Sequence, residues 1–184
     1  CTPPRRFDVI LLGFVDSWAA VASGGLSLSE NHLYTVEAFE AYCDRLTEDG
    51  MLVILRWDVD ISRLVSNAVA MLGPPEAGKR LLVLLEQRGT SKEPPQMIFG
   101  LRKRPFTEAE TARIMDWPNA RPVIVPGRHV EAPYADLLDG RKTMAQFVAE
   151  ADTRVDPVTD DRPFFFARQK PWGLPSSMGL AFLT

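Results

Sequence analysis

The sequence predicts an α/β domain, and three segments carry that expectation. From residue 8 to 15 runs an almost unbroken apolar stretch, Val-Ile-Leu-Leu-Gly-Phe-Val, which suits a parallel strand covered on both faces. From Thr35 to Leu46 the apolar residues Val36, Phe39, Tyr42, Cys43 and Leu46 recur at helical spacing, with Glu37, Glu40, Asp44 and Arg45 on the other face. Met51-Leu-Val-Ile-Leu55 follows as a second buried strand, so strand, helix and strand predict a right-handed parallel crossover. Gly50, after Glu48-Asp49, is expected to close the helix in the left-handed cap conformation.

Between the first strand and this helix lies a small-residue stretch with a glycine pair, Gly24-Gly25, read as a loop. Ser27 and Glu30 then have the spacing of a capping box and predict a short helix. After the second strand, Ile61, Leu64, Val65, Ala68 and Leu72 mark another amphipathic helix, stopped by Gly73-Pro74-Pro75. The runs 80–87 and 96–101 read as strands, and the short polar joint between them implies an antiparallel hairpin. Thr107 and Glu110 form a second capping box, opening a helix to about Trp117. A short strand at 123–125 and helical segments at 134–138 and 142–150 complete the prediction.

Composition narrows the function. A chain of 184 residues with 46% hydrophobic and 24% charged content has room for one substantial core. The net charge of -3 and the absence of a Lys/Arg stripe beside aromatic residues argue against a nucleic-acid partner. Cys1 and Cys43 make no disulfide framework, and His32 and His129 have no ligand at metal-binding spacing, so no metal is expected. Cys43 falls on the apolar side of its helix, as a small core residue does. No stretch of about 18 apolar residues is present, and the chain reads as a soluble domain. The apolar residues from 173 to 184 read as leading toward a membrane segment in a longer protein.

Chemistry in an open α/β sheet collects outside the carboxyl ends of the strands. Asp16 follows the first strand and is therefore the candidate catalytic acid; the alternative is that it caps a turn. Trp18, Trp57 and Tyr34 are candidates for a pocket wall, against the alternative that they pack at a rim or in the core. Asp160 and Asp161 precede Arg162-Pro163 and the run Phe164-Phe165-Phe166. They are read as pinning that segment to the domain through a nearby arginine, with the phenylalanines packed inward.

Phe7-Asp-Val-Ile, Asp16, Leu33-Tyr34-Thr35 with Phe39, and Asp160-Asp-Arg-Pro-Phe-Phe-Phe166 together resemble the spermidine synthase-like proteins, especially their bacterial branch fused to membrane helices. The resemblance spans nearly the whole chain. It implies a Rossmann-like class I methyltransferase sheet of which this chain holds family strands 4 to 7, the last two in the antiparallel hairpin. Residues 1–104 would be the C-terminal half of that domain, and 105–184 an α-rich C-terminal extension packed on it. The three earlier strands, with the glycine-rich nucleotide loop and the ribose-binding acid, would lie before Cys1. S-adenosylmethionine or its decarboxylated form is then the cofactor of the full-length protein, with none expected to bind this chain alone.

The resemblance also implies a small-molecule amine as acceptor, Asp16 as a catalytic residue, Trp18 and Tyr34 as substrate-binding residues, and a cytoplasmic domain tethered to the membrane by segments outside the chain. The family pattern after this strand is Asp-x-x-Asp, whose first acid takes a proton from the amine while the second helps to hold it. Gly13 stands at the first position and Asp16 at the second. A protonated amine must lose a proton before its nitrogen can attack, so glycine there removes the base. A small-molecule methyltransferase on the same fold, or a non-enzymatic sensing or interaction module, are the alternatives. An uncovered first strand further implies a homodimer or a compensating strand.

Overall fold

The computed structural model describes residues 5–14, 30–86 and 95–170. They form a mixed α/β structure around one sheet. Strand β1 is Phe7–Gly13, β2 Leu46–Trp57, β3 Leu81–Glu86, β4 Gln96–Arg102, β5 Ala120–Val125 and β6 His129–Val130. Their order in the sheet is β1-β2-β4-β3-β5-β6. β1 and β2 run parallel, with Val9 opposite Met51 and Gly13 opposite Leu55. β4 is antiparallel to both β2 and β3, so the expected hairpin is present and its second strand lies between the first two and β3. β5 joins the outer side of β3 and β6 joins β5, both antiparallel, so the segment after residue 105 continues the same sheet.

Helix α1, Val36–Arg45, connects the parallel strands. Thr35 caps it by accepting a hydrogen bond from the Ala38 amide at 3.1 Å, a contact of the kind that contributes about 1 kcal/mol. The helix ends without Gly50. Leu46 turns extended while its amide still bonds Tyr42 and Cys43 carbonyls, and Gly50 lies inside β2. A Cβ at Gly50 would meet the Phe7 carbonyl oxygen at 2.9 Å and the Thr47 carbonyl oxygen at 3.0 Å, so glycine is needed there for close backbone approach and not for a helix cap.

Helix α2, Ile61–Leu72, buries Leu64, Val65 and Ala68 completely. Gly73, at φ +78°, ends it, and Pro74 at once begins a further helix, α3, Pro74–Arg80. Proline is well placed in a first turn because that amide has no helical partner. The Gly-Pro-Pro sequence is thus both a stop and a start. Helices α4 (Glu108–Met115), α5 (Tyr134–Leu138) and α6 (Met144–Glu150) follow; the capping boxes Thr107/Glu110 and Thr143/Gln146 open α4 and α6. Ser27 of the first predicted capping box lies outside the described residues. The first helical turn after β1 that is described is His32–Tyr34, capped by Asn31.

The sheet has a large core on one face, with Leu12, Leu52, Ile54, Phe99 and Val83 packed against Phe39, Leu64 and Val65. The opposite face has a smaller one, where Ile114 and Phe106 cover Leu82, Leu84 and Val125. That second cover stops short of β1. Phe7, Val9 and Leu11 are 47%, 56% and 60% exposed, whereas Leu12 is 9% exposed. The expectation of a strand buried on both faces is therefore corrected: among the described residues β1 is an edge strand with one apolar face uncovered.

Candidate functional site at the strand ends

β1 and β2 end on one edge of the sheet, and β3 ends and β4 begins on the same edge. Gly13 closes β1. Among the described residues a Cβ there would meet Leu55 Cδ1 alone, at an ordinary contact distance of 3.9 Å. Phe14 follows in the left-handed region, φ 44°, which is uncommon for a residue with a Cβ. Its amide donates to the Leu55 carbonyl at 3.4 Å, and its ring meets Trp57 edge-on at 5.0 Å. Trp57 thus packs against Phe14 at the rim. Asp16 and Trp18 lie outside the described residues.

Tyr34 is fully buried. Its ring lies 4.6 Å from Phe165 and 6.3 Å from Phe166, and the Arg56 guanidinium stands 5.4 Å from the Tyr34 ring and 4.9 Å from that of Phe166. Arg56 donates from Nε to Asp60 Oδ2 at 3.0 Å, and Arg168 Nη2 reaches Asp60 Oδ1 at 2.8 Å. One carboxylate therefore serves two arginines, which is how a charge this buried is tolerated.

A second buried group holds the segment 154–168 from the side of α2. Arg63 Nη1 donates to the carbonyls of Phe164, at 2.7 Å, and Phe165, and Nη2 lies 3.6 Å from Asp156. Burial pulls the Arg63 pKa down to about 10 and Arg154 adds repulsion, against the attraction of Asp156. Asn67 bridges the same layers, donating to the Tyr34 carbonyl at 2.7 Å and accepting from the Val158 amide at 2.8 Å.

The C-terminal aromatic run packs inward as expected: Phe165 is fully buried, Phe166 nearly so and Phe164 half-buried. The ion pair expected beside it is different. Asp160 lies 3.4 Å from His32 Nδ1, and a hydrogen bond from Thr35, supported by His32, holds its carboxyl below the usual range. The acids that take arginines beside this segment are Asp60 and Asp156. Asp160 stands on the surface over the first turn of α1, where its own amide donates to Glu37 Oε2 at 3.0 Å.

Asp58 is a strand-end acid that the sequence reading passed over. It follows Trp57 directly, its amide donates to the Pro95 carbonyl at 3.1 Å, and its buried Oδ1 has no hydrogen-bond partner among the described residues. Its charge, with that of Glu131, adds to the burial that raises the phenol pKa of Tyr134, whose hydroxyl lies 2.9 Å from that of Ser62. The available signal was position alone, an acid just past the end of an apolar strand. The Asp58 charge thus reaches the Ser62–Tyr134 hydroxyl pair from the end of β2.

Among the described residues no group of three or more His, Cys, Asp or Glu side chains is arranged to hold a metal ion, and no helix is long and apolar enough to cross a membrane. The mixed α/β architecture defines the class of structure. Comparison with protein families, with curated proteins and with solved structures found no match to this chain.

Proposed function

We propose that this chain is the C-terminal part of a spermidine synthase-like domain, cytoplasmic in a membrane-anchored bacterial protein, which in full length binds decarboxylated S-adenosylmethionine and transfers its aminopropyl group to a small amine. The observation that carries this reading is the order of the sheet. A parallel pair joined through a helix, with an antiparallel hairpin added beside the second strand, is what the resemblance implies for family strands 4 to 7. Its strand-end edge carries acids where an amine acceptor would be held.

In this transfer the amine nitrogen forms a bond to the carbon attached to the donor's sulfonium, the carbon–sulfur bond breaks toward sulfur, and the nitrogen loses a proton to a base. Gly13 cannot be that base. Asp16 would hold the amine, and Asp58, one strand over, is the described carboxylate best placed to take the proton. The nucleotide-binding part would come from before Cys1. Gly13 favours a second reading, a small-molecule methyltransferase whose substrate carries its own nucleophile.

The test is transfer by the full-length protein from decarboxylated S-adenosylmethionine to putrescine, with methyl transfer from S-adenosylmethionine measured in parallel. Weak aminopropyl transfer is expected, raised by Gly13→Asp and lowered about 10²–10⁴-fold by Asp58→Asn. If Gly13→Asp stays inactive and only methyl transfer is found, the second reading replaces the first.

A further inference from the structure

Between α6 and the C-terminal segment there is a surface pocket of about 370 Å³, lined by Val148 and Ala149 of α6 and by Arg154, Asp156, Arg162 and Lys170. The chain folds back on itself to make it: the Arg154 amide donates to the Arg168 carbonyl at 2.8 Å, which sets Lys170 beside residue 154. Lys170 is fixed further by donating from Nζ to the Ala149 carbonyl at 3.1 Å. The turn between, where the Arg162 amide bonds the Thr159 carbonyl at 2.9 Å, presents Arg162 to the same pocket.

The charges there do not balance. Asp156 is the acid of the pocket wall, and it is already shared by Arg154, at 2.9 and 3.1 Å, and by Arg63 behind the wall, at 3.6 Å. Arg162 has no ion pair or side-chain hydrogen bond among the described residues, and the ammonium of Lys170 has only one carbonyl. Four cations therefore stand around one committed carboxylate. An arginine fork and an ammonium held at one mouth, over an apolar floor, match an oxyanion that accepts several hydrogen bonds.

We propose that this pocket between α6 and the C-terminal segment binds a phosphate group, with Arg162 and Lys170 as its direct ligands and Arg154 as the fixed wall. The proposal does not depend on the transferase reading, since none of the residues lining this pocket belongs to the strand-end site. The phosphate could be free or carried on a lipid headgroup, and the pocket chemistry is the same for both.

The test is titration of the 184-residue chain with inorganic phosphate by calorimetry at constant ionic strength, and sedimentation with vesicles of phosphatidylglycerol against phosphatidylcholine. Arg162→Gln and Lys170→Gln are each expected to weaken binding about tenfold or more, the loss of one charge-assisted hydrogen bond. Arg141→Gln removes an equal charge from an arginine paired to Asp136 and Asp139 elsewhere on the surface, and it should leave binding unchanged. Because Arg162 is exposed and unpaired, its variant should fold normally. Saturable phosphate binding with this pattern identifies a small-molecule phosphate site. Binding only to phosphatidylglycerol vesicles, with the same pattern, identifies a headgroup site. Binding in neither arm, or binding that Arg162→Gln and Arg141→Gln weaken equally, overturns the proposal.

Discussion

Arg56 near the end of β2 and Asp60 just past the strand form an ion pair at 3.0 Å, with side chains 5% and 2% exposed. Asp60 is also the anchor for Arg168, so a single carboxylate ties the exit of β2 to the C-terminal segment. The Tyr34 and Phe166 rings pack against the guanidinium of Arg56, so the charge that Asp60 pairs is also covered by aromatic carbon.

Removing that acid should be costly. Asp60→Asn removes the buried carboxylate that Arg56 and Arg168 share and is expected to destabilise the chain by about 3–5 kcal/mol. Arg168→Ala removes a partner that is 41% exposed and should cost about 0–1 kcal/mol. Urea unfolding of both variants separates the two effects. Equal losses would mean that the buried pair is not what holds this corner.

Phe165 fills the space between Tyr34 and Phe166 and is fully buried. Phe165→Ala is expected to cost about 3–5 kcal/mol, and Phe164→Ala, at a half-buried position, clearly less. The ratio matters more than either value. If the two substitutions cost the same in denaturant titration, the inward packing of the run has been misassigned.

Glu110 should make stability depend on acid. A hydrogen bond from Arg102, with others from Thr107 and Arg104, holds its carboxyl well below the ordinary value of 4.5. A depressed folded-state pKa contributes stability that is present above the unfolded value and is lost as pH falls toward the folded one. Glu110→Gln keeps a side chain able to complete the capping box but removes the charge. The variant should unfold earlier than the parent at pH 7, and the gap should narrow as pH drops below 4.5. A gap that does not change with pH would assign the effect to the cap alone.

The uncovered face of β1 predicts self-association. Phe7, Val9 and Leu11 present an apolar row on an edge strand, a template for another chain. Sedimentation equilibrium is expected to detect a dimer, and Leu11→Lys to shift it to monomer without lowering the unfolding midpoint, because Leu11 is 60% exposed. A parent chain that stays monomeric at high concentration would count against this face as a contact.

Most elements were legible because their signals are local. Helical periodicity located α1 and α2, and the Thr107/Glu110 spacing marked the start of α4 through two hydrogen bonds within four residues. Errors arose where one local signal had two outcomes. Gly50 has the freedom of a helix cap, yet it serves the close approach of the Phe7 backbone from β1 and of the Thr47 backbone within β2. Gly73-Pro74 ends one helix, and the same proline starts the next.

The site was less legible than the fold. Asp16 and Trp18 lie outside the described residues, while Tyr34, an aromatic read as either pocket wall or core, is sealed beneath Phe165 and Phe166. Asp58 and Asp60 stand two residues apart in the same turn. Nothing in their order says that one would hold two arginines and the other would keep a buried oxygen without a partner.

By itself the sequence determined the α/β class, the hairpin and the inward packing of the phenylalanine run, since each follows from apolar spacing and turn chemistry within a short stretch of chain. The tertiary structure alone decided which charges meet. Asp60 and Arg168 are 108 residues apart, and the Val158 amide is 91 residues from the Asn67 that receives it. Such pairs are selected by burial: once the core closes over a charge or an amide, it must find a partner among whatever side chains the fold has brought near, and their separation along the chain carries no record of that choice.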